Sequence, residues 1–354
     1  MYIEKIQSIL KDNEAALIMS EENLRFFTGF HTSNGYLLIT KSLSIFLTDS
    51  RYIEAAQKSI VTCDQVCEIK SVSKTLQPLT ENLAIKNIYI EASRLTLSQF
   101  ATFSKLFENA QFITDNTLDD AINALRRVKN DDAVQNTIKA QRIAEQAFKH
   151  ILSFISTNKT EKEIALELDY FMLKNGAEAL SFETIAVSGV NSSMPHGVPS
   201  DKIIESGDFI TMDFGAVVNG YHSDMTRTVA VGEASEKQIE VYNTVLKAQT
   251  TAMTFIKPDV HCKDIDAVAR DIITEAGYGA YFGHSLGHGV GIEIHEHPSF
   301  SPNSGEVTEI GNIITVEPGI YIPNEFGVRI EDMILVTQDG YENLTLADNS
   351  LIIL

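Results

Sequence analysis

Two acidic residues in a predicted β-hairpin constrain the fold of this chain more than any other feature of its sequence. Residues 212–228 read MDFGAVVNGYHSDMTRT, and an Asn-Gly pair at 219–220 separates Asp213 from Asp224. The pair predicts a two-residue turn, because a type I′ turn requires positive φ at both central positions. Such a turn places Asp213 opposite Thr226, and Asp224 then lies diagonally across from Asp213 on the same face. Because two like charges held this close repel each other, the hairpin indicates a bound cation.

The chain length and the pattern of apolar residues predict two domains. A chain of 354 residues exceeds what one hydrophobic core usually organises. Residues 1–125 contain apolar runs of strand length, such as 35–40 and 87–90, between charged stretches that favour helices. This pattern predicts a compact α/β domain. Residues 126–354 combine amphipathic helices with glycine-punctuated strands, which predicts an α+β domain. Titratable residues cluster in a catalytic pattern only in this second part, so the chemistry is expected there.

Capping signals delimit the helices at the beginning of the second domain. Asp131 is predicted to be the N-cap of a long helix, and Thr160 with Glu163 forms a capping box for the next one. The other predicted segments are a strand at 209–214, helices at 235–254 and 262–276, and glycine-punctuated strands at 283–297, 312–322 and 328–336. Together they predict mixed helices that cover one side of a curved, largely antiparallel sheet.

The composition of the chain argues against several classes of protein. A net charge of −20 with 44% hydrophobic residues predicts a soluble globular protein that binds no nucleic acid, because phosphate would be repelled over most of its surface. No signal-peptide pattern opens the chain and no apolar run is as long as a membrane helix, so no membrane partner is expected. The three cysteines lack zinc-like spacing and are interpreted as reduced thiols of a cytoplasmic protein.

Histidines and further carboxylates add to the hairpin. Four of the nine histidines lie in residues 283–297, GHSLGHGVGIEIHEH, where glycines permit close backbone approach, and His196 follows a proline. Glu317 precedes a proline that fixes the chain, and Glu331 lies among Ile and Val, where an unpaired acid is costly. Each of these residues alone is typical of a surface or a core, but together they indicate one site.

These segments resemble a known family. D-F-G-A-x-x-x-G-Y-x-S-D-x-T-R-T, G-H-G-V-G-x-E-x-H-E, V-E-P-G-I-Y and G-V-R-I-E-D resemble the pita-bread metallopeptidases, the family of methionine aminopeptidase, aminopeptidase P and prolidase. N-L-R-F-F-T-G-F, S-N-G-Y-L-L-I and T-D-S-R-Y-I-E-A-A resemble the N-terminal domain of its Xaa-Pro branch. The resemblance implies a C-terminal pita-bread (creatinase/aminopeptidase-like) domain at 126–354, preceded by a smaller creatinase/prolidase-type α/β domain at 1–125.

The resemblance implies five metal ligands that hold two divalent ions, with two of the carboxylates bridging the pair. These ligands are Asp213, Asp224, His288, Glu317 and Glu331, and the bridging ones are Asp224 and Glu331. Four carboxylates and one imidazole make a hard, oxygen-rich site, which favours Mn²⁺, with Co²⁺ and Zn²⁺ as the alternatives. A hydroxide held between two such ions is expected to attack the peptide carbonyl.

Three residues match catalytic positions of the family. Glu317 is expected to carry the proton between the nucleophile and the leaving nitrogen, in addition to binding metal. His196 and His295 correspond to the non-ligand histidines and are expected to donate hydrogen bonds to the substrate carbonyl and to the intermediate.

Three more residues match substrate-binding positions. His284 and Arg329 correspond to positions that face the proline side and a downstream carboxylate in the Xaa-Pro branch, and Tyr321 is assigned to the pocket wall. For His284 and Arg329 the alternative is an ion pair with an acid behind the site.

The function implied by the resemblance is hydrolysis of the Xaa-Pro bond by a dinuclear metalloexopeptidase that acts on small peptides with proline in second position. The sequence leaves open whether the enzyme is an aminopeptidase or a dipeptidase. The alternatives are a methionine aminopeptidase-like enzyme, and a metal-free creatinase-like hydrolase or binding module on the same fold. The resemblance also implies a homodimer.

Overall fold

The computed structural model describes residues 2–107 and 109–354, and two compact units divide it, Met1–Arg126 and Arg127–Leu354. The predicted domain boundary after residue 125 remains a prediction. No helix within the described ranges has the length and apolar character needed to cross a membrane.

The first unit contains a mixed six-stranded sheet with strand order β4-β3-β2-β1-β5-β6. Its elements in chain order are α1 Tyr2–Ile9, β1 Glu14–Ile18, α2 Glu21–Thr28, β2 Gly35–Thr40, β3 Ser44–Thr48, α3 Ile53–Ser59, β4 Gln65–Glu68, a π-helical turn Val72–Leu76, α4 Gln77–Asn82, β5 Asn87–Ile90, α5 Leu97–Leu106, β6 Gln111–Ile113 and α6 Thr117–Arg127. The central pairs β1–β2 and β2–β3 are antiparallel, whereas β1–β5, β3–β4 and β5–β6 are parallel.

The central strands of this sheet are buried on both faces. Along β1, Ala16 and Ile18 pack into one apolar core, while Ala15 and Leu17 pack into the other. This alternation follows from the two-residue period of a strand. Apolar layers on both sides explain why the strands read as continuous apolar runs in the sequence.

A buried carboxylate closes the end of β5. Glu91 is 1% exposed, and its two oxygens accept hydrogen bonds from Met19 N, Ser20 N, Ser20 Oγ and Asn23 Nδ2 at 2.5–3.0 Å. Because these donors surround the carboxylate, its burial is compatible with the negative charge.

The second unit is built from helices and antiparallel strands. Its elements in chain order are α7 Asp131–Ile151, α8 Glu161–Lys174, β7 Ala179–Leu180, β8 Ile185–Ser188, a 3₁₀ turn Gly189–Ser193, β9 Phe209–Phe214, β10 Ala216–Val218, β11 Tyr221–His222, β12 Met225–Ala230, α9 Glu236–Met253, α10 Cys262–Glu275, a 3₁₀ turn Gly279–Tyr281, β13 Gly287–Gly289, β14 Glu296–Phe300, β15 Ile313–Val316, β16 Gly319–Ile322, β17 Phe326–Arg329, β18 Asp332–Thr337 and β19 Gly340–Asn343. The sheets are β11-β10-β7, β12-β9-β8, β14-β13-β15-β18-β19 and β16-β17.

The caps of the helices follow the sequence closely, with one correction. Asn130, and not Asp131, is the N-cap of α7, because its side chain accepts from Ala133 N while Asp131 already belongs to the helix. The capping box of Thr160 and Glu163 at the start of α8 is confirmed. Asp and Asn have similar preferences for this position, so the sequence pattern alone did not separate the two neighbours.

The predicted hairpin register is confirmed. Asn219 and Gly220 have φ values of 50° and 82°, as the type I′ turn requires. β9 pairs with β12 so that Asp213 lies opposite Thr226, and β10 pairs with β11 in the same continuous register. Along β9, alternate side chains join the core beneath α7 and α8, and Asp213 lies on the other face of the strand.

Two of the predicted strands are broken at an acidic residue, which corrects their extent. The segment 312–322 divides into β15 and β16 with Glu317 in the gap, and 328–336 divides into β17 and β18 with Glu331 in the gap. In each case the two halves belong to different sheets. A carboxylate at such a junction is released from strand alternation, so its side chain can be directed by the fold around it.

Candidate metal centre

One cavity in the second unit gathers the predicted residues. It has a volume of about 540 Å³, and nine of the ten predicted site residues line it, namely His196, Asp213, Asp224, His284, His288, His295, Glu317, Arg329 and Glu331. Tyr321 is not among the lining residues, although its hydroxyl accepts a hydrogen bond from Arg329. Part of the wall is apolar, formed by Phe182, Ile185, Val198 and Ile294.

Three side chains converge closely enough to share one cation. One ligand atom from each of Asp224, His288 and Glu331 lies within 4.8 Å of the other two. The Nδ1 atom of His288 donates to the Gly289 carbonyl oxygen at 3.0 Å, so its Nε2 carries the lone pair. This Nε2 lies 3.6 Å from Asp224 Oδ2 and 3.3 Å from Glu317 Oε1.

Two buried carboxylate oxygens lack a hydrogen-bond partner within the described part of the chain, Asp213 Oδ1 and Glu331 Oε1. The second oxygen of each group is bound, because Arg329 Nη2 donates to Asp213 Oδ2 at 2.6 Å and Thr226 Oγ1 donates to Glu331 Oε2 at 2.7 Å. A buried, unpaired carboxylate oxygen is costly unless it binds a cation. The donor set therefore fits a hard divalent ion.

The acids of the site resist ionisation when no cation is bound. Burial raises the pKa of Asp224 well above its ordinary value, and the charges of Glu331 and Asp213 raise it further. Burial followed by the charges of Glu317 and Asp213 has the same effect on the pKa of Glu331. Burial also raises the pKa of Glu317 to about 7. A bound cation would oppose these shifts by favouring the charged carboxylates.

Arg329 connects the carboxylates to the wall of the cavity. Its guanidinium is 4% exposed and donates to Asp213, to Thr226 Oγ1 at 3.0 Å, to Tyr321 OH at 2.8 Å and to the Pro195 carbonyl at 3.2 Å. The ion-pair partner of Arg329 is thus Asp213, an acid that lines the cavity and is itself a proposed ligand, and not an acid behind the site. The role of Arg329 in substrate binding remains a prediction.

The hydrogen-bond chain from Arg329 sets the tautomer of His284. Tyr321 OH accepts from Arg329 and donates to His284 Nε2 at 3.0 Å, while His284 Nδ1 donates to the Ser285 carbonyl at 2.8 Å. Burial lowers the pKa of His284 to about 4, so this imidazole is neutral near pH 7. His284 therefore makes no ion pair at that pH, and its Nε2 accepts a hydrogen bond from the hydroxyl of Tyr321 instead.

The other imidazoles come from different directions. His295 contacts His288 edge to face, with ring centroids 4.4 Å apart, and burial lowers the pKa of both rings. His196 reaches the cavity from the segment that follows β8. The remaining histidine of the clustered segment, His297, lies away from the cavity and faces Glu306 at 3.2 Å.

Two threonines were missed in the sequence although a signal was present. Thr226 links Arg329 to Glu331, and Thr315 Oγ1 accepts from His288 N and donates to Glu317 Oε1, both at 3.0 Å. Each threonine lies two residues from a proposed ligand, Thr226 from Asp224 and Thr315 from Glu317, in the strand that adjoins that ligand.

Comparison with known proteins places the chain among metallopeptidases. The model of metallopeptidase family M24 matches residues 135–338, and that of the creatinase/prolidase N-terminal domain matches residues 3–128. The chain is 39% identical to an Xaa-Pro dipeptidase of Pyrococcus horikoshii, over 99% of this chain and 98% of that protein.

Solved structures agree over the full length. An Xaa-Pro dipeptidase from Bacillus anthracis has 43% sequence identity and a TM-score of 0.95, covering 100% of this chain and 99% of the other. An X-Pro aminopeptidase from Thermotoga maritima has 38% identity and a TM-score of 0.92, covering 99% and 100%. These matches confirm the predicted α+β pita-bread architecture with its α/β N-terminal part. The chain belongs to metallopeptidase family M24 and carries a creatinase/prolidase N-terminal domain.

Proposed function

We propose that this protein is a metal-dependent exopeptidase that hydrolyses the Xaa-Pro bond of small peptides. The observation that carries the proposal is the pair of orphaned carboxylate oxygens, Asp213 Oδ1 and Glu331 Oε1, in a cavity that also holds Asp224 and His288. The names of the full-length relatives, Xaa-Pro dipeptidase and X-Pro aminopeptidase, support the choice of substrate. The methionine aminopeptidase-like and metal-free creatinase-like alternatives are not favoured by these relatives.

Five side chains would hold two divalent ions. They are Asp213, Asp224, His288, Glu317 and Glu331, and their predominance of carboxylate oxygen makes Mn²⁺ the expected ion. When bound, the ions supply Lewis-acid polarisation and an activated water. The orphaned oxygens and the Nε2 lone pair of His288 are the donor atoms that support this assignment.

The remaining side chains would handle protons and hydrogen bonds. Glu317 Oε1 is engaged by Thr315, which leaves Oε2 to take a proton from the nucleophile and return it to the leaving nitrogen. A pKa near 7 in the metal-free protein indicates that this carboxylate holds a proton readily. His196 and His295 would donate to the substrate carbonyl oxygen, which gains negative charge in the transition state.

The apolar part of the cavity suits a proline ring. Phe182, Ile185, Val198 and Ile294 contribute apolar lining, and a proline nitrogen brings no N–H that would need an acceptor. His284 and Arg329 are proposed to bound the proline side of the substrate, and Tyr321 is proposed to support both through its hydrogen bonds.

A comparison of two peptides tests the proposal. Purified protein is incubated with Ala-Pro and with Ala-Pro-Ala, with added Mn²⁺ and with chelator. Hydrolysis of at least one peptide, restored by Mn²⁺ after chelation, is expected, and the preferred peptide separates dipeptidase from aminopeptidase. Absence of hydrolysis of both, or turnover of a Met-Ala peptide alone, would contradict it.

We further propose that the protein is a cytoplasmic homodimer, as the resemblance implies. Light scattering during gel filtration measures the mass, and cell fractionation measures the location. A monomer at micromolar concentration, or protein found outside the cytoplasmic fraction, would contradict these assignments.

A further inference from the structure

A second buried carboxylate, outside the cavity, binds the segment that carries His196. Glu161 is the first residue of α8 and is 0% exposed. Its Oε1 accepts from Ser188 N at 2.6 Å, Ser188 Oγ at 3.0 Å and Asn191 Nδ2 at 3.1 Å. Its Oε2 accepts from Asn191 Nδ2 at 3.2 Å, Ser200 N at 3.0 Å and Ser200 Oγ at 2.6 Å.

These donors come from both ends of one excursion of the chain. Ser188 ends β8, Asn191 lies three residues later, and Ser200 is where the chain returns to α8. Residues 192–199 lie between the two attachment points, and His196, Val198 and their neighbours line the cavity. One side chain thus closes the base of the loop that delivers His196.

The first part of the loop, the turn Gly189–Ser193, packs against β17, and two hydrogen bonds join the loop to that strand. Gly327 N donates to Ser192 Oγ at 2.9 Å, and Arg329 donates to the Pro195 carbonyl at 3.2 Å. At the apex Val198 is 77% exposed, whereas Gly197 is buried beside Val187. The base therefore acts together with these contacts in setting the position of the apex.

The physical character of Glu161 suits this role. Hydrogen bonds to an ionised carboxylate are about twice as strong as those between neutral groups. The helix N-terminus favours a negative charge at this position. All of these hydrogen bonds end on the two oxygens of one side chain. A change at Glu161 therefore releases both ends of the loop together.

We propose that Glu161 is a positioning residue, which fixes the loop 189–200 and thereby places the His196 imidazole in the cavity. The effect on turnover rests on the proposed peptidase function, whereas the effect on the loop does not. Glu161 makes no hydrogen bond to any of the five proposed ligands, so its action is expected to leave metal binding unchanged.

A pair of helix variants separates positioning from helix stability. Glu161→Gln keeps the size of the side chain but turns an amide toward Ser200 or Ser188, whose N–H groups need an acceptor. The matched control is Glu163→Gln, two residues later, where the side chain is 45% exposed and, among the described residues, contacts only the capping box and Lys159. With Ala-Pro and Mn²⁺, Glu161→Gln is expected to lower kcat about 10-fold with unchanged metal content. The control is expected to stay within about 2-fold of wild type.

A double-mutant cycle asks whether Glu161 acts through His196. In a His196→Ala background, Glu161→Gln is expected to lower kcat by less than about 2-fold, because the imidazole that it positions is absent. Equal losses in the two backgrounds, a loss of metal, or an equal loss in Glu163→Gln would overturn the proposal.

Amide hydrogen exchange gives a readout that needs no activity. Exchange in residues 189–199 is expected to be faster in Glu161→Gln and unchanged in Glu163→Gln. If wild-type protein hydrolyses neither peptide, the proposed function fails, and exchange alone still decides whether Glu161 holds the loop. If Glu161→Gln does not fold, Ser200→Ala removes one donor hydroxyl and is expected to give smaller changes in the same direction. Unchanged amide exchange of residues 189–199 in both Glu161→Gln and Ser200→Ala would contradict the proposal.

Discussion

Glu91 in the first unit and Glu331 in the second are equally buried, at 1% exposure, and yet their surroundings differ. Both oxygens of Glu91 accept hydrogen bonds from the chain, whereas Glu331 has one oxygen bound by Thr226 and one without a partner among the described residues. The first arrangement satisfies the charge within the fold. The second leaves a charge that only a group from outside the chain can satisfy. Partner count, and not burial, distinguishes a structural carboxylate from a ligand.

The largest effect is expected from Glu331→Gln. The change removes a proposed ligand, so kcat/KM for Ala-Pro should fall by more than the ~100-fold that changes to neighbouring groups reach. It also removes the free-energy cost of burying an acid with a raised pKa, so the metal-free variant should unfold at a higher temperature than metal-free wild type. Metal analysis and thermal unfolding in chelator measure both. A lower unfolding temperature would show that Glu331 serves the fold as Glu91 does.

Arg329→Lys should have the next largest effect. Lysine retains the charge but cannot reach Asp213, Thr226 and Tyr321 together, because it lacks the planar fork of a guanidinium. We expect kcat/KM or Mn²⁺ affinity to fall by about 10–100-fold. Tyr321→Phe serves as the comparison, since it removes one partner of Arg329 together with the hydrogen bond to His284, and it should change kcat/KM less. Equal losses in the two variants would contradict a central role for Arg329.

The acidic cluster should also give the metal-free protein an unusual pH dependence. The folded pKa of Glu317 is about 7 and lies above its ordinary value of 4.5, so the folded state holds a proton that the unfolded state has released. This contribution to stability is complete below about pH 4.5 and is lost as the pH rises through about 7. The pKa values of Asp224 and Glu331 are also raised, so these two acids contribute to the pH dependence with the same sign.

Thermal unfolding in chelator between about pH 5 and pH 8 measures this effect. The unfolding temperature of wild type, relative to Glu317→Gln, is expected to fall as the pH rises, because glutamine cannot titrate. Excess Mn²⁺ should oppose the fall, since an ion that binds only the folded state stabilises it. A difference between wild type and variant that stays constant with pH would contradict the shifted pKa.

Glu91→Gln should have the smallest effect and should leave the metal centre intact. The amide would meet donors that now face a carboxylate oxygen, so the free energy of unfolding is expected to fall by about 1–3 kcal/mol. Glu22→Gln, in α2 of the same unit and 41% exposed, is the matched control and should change it little. Urea unfolding measures the difference, and metal content should equal that of wild type. Loss of metal in Glu91→Gln would contradict the assignment of Glu91 as a purely structural carboxylate.

Local signals predicted the elements whose shape is decided by neighbours in sequence. The turn at Asn219 and Gly220 fixed the hairpin register, because its backbone angles are set by the two residues themselves. The capping box of Thr160 and Glu163 is local for the same reason. Asn130 escaped prediction as a cap because its neighbour Asp131 suits the position equally well.

Features decided by distant packing were not predictable in this way. The breaks at Glu317 and Glu331 arise because their flanking strands join different sheets, which no local pattern records. The family resemblance, and not periodicity, singled out these acids as ligands. Glu161 was overlooked because it reads as an ordinary helix-start acid, whereas its partners lie 27 to 39 residues away.

The pairs β9–β12 and β10–β11 share one register between Asp213 and the Asn219 turn, and this also limits how the segment can change in length. Inserting or deleting one residue in either arm would turn the acid beyond it to the opposite side of the ribbon. Inserting one residue in each arm would keep both acids inward. Homologues that keep the site should therefore differ in the length of this segment by even numbers of residues. A homologue that differs by an odd number is expected to lack the metal site.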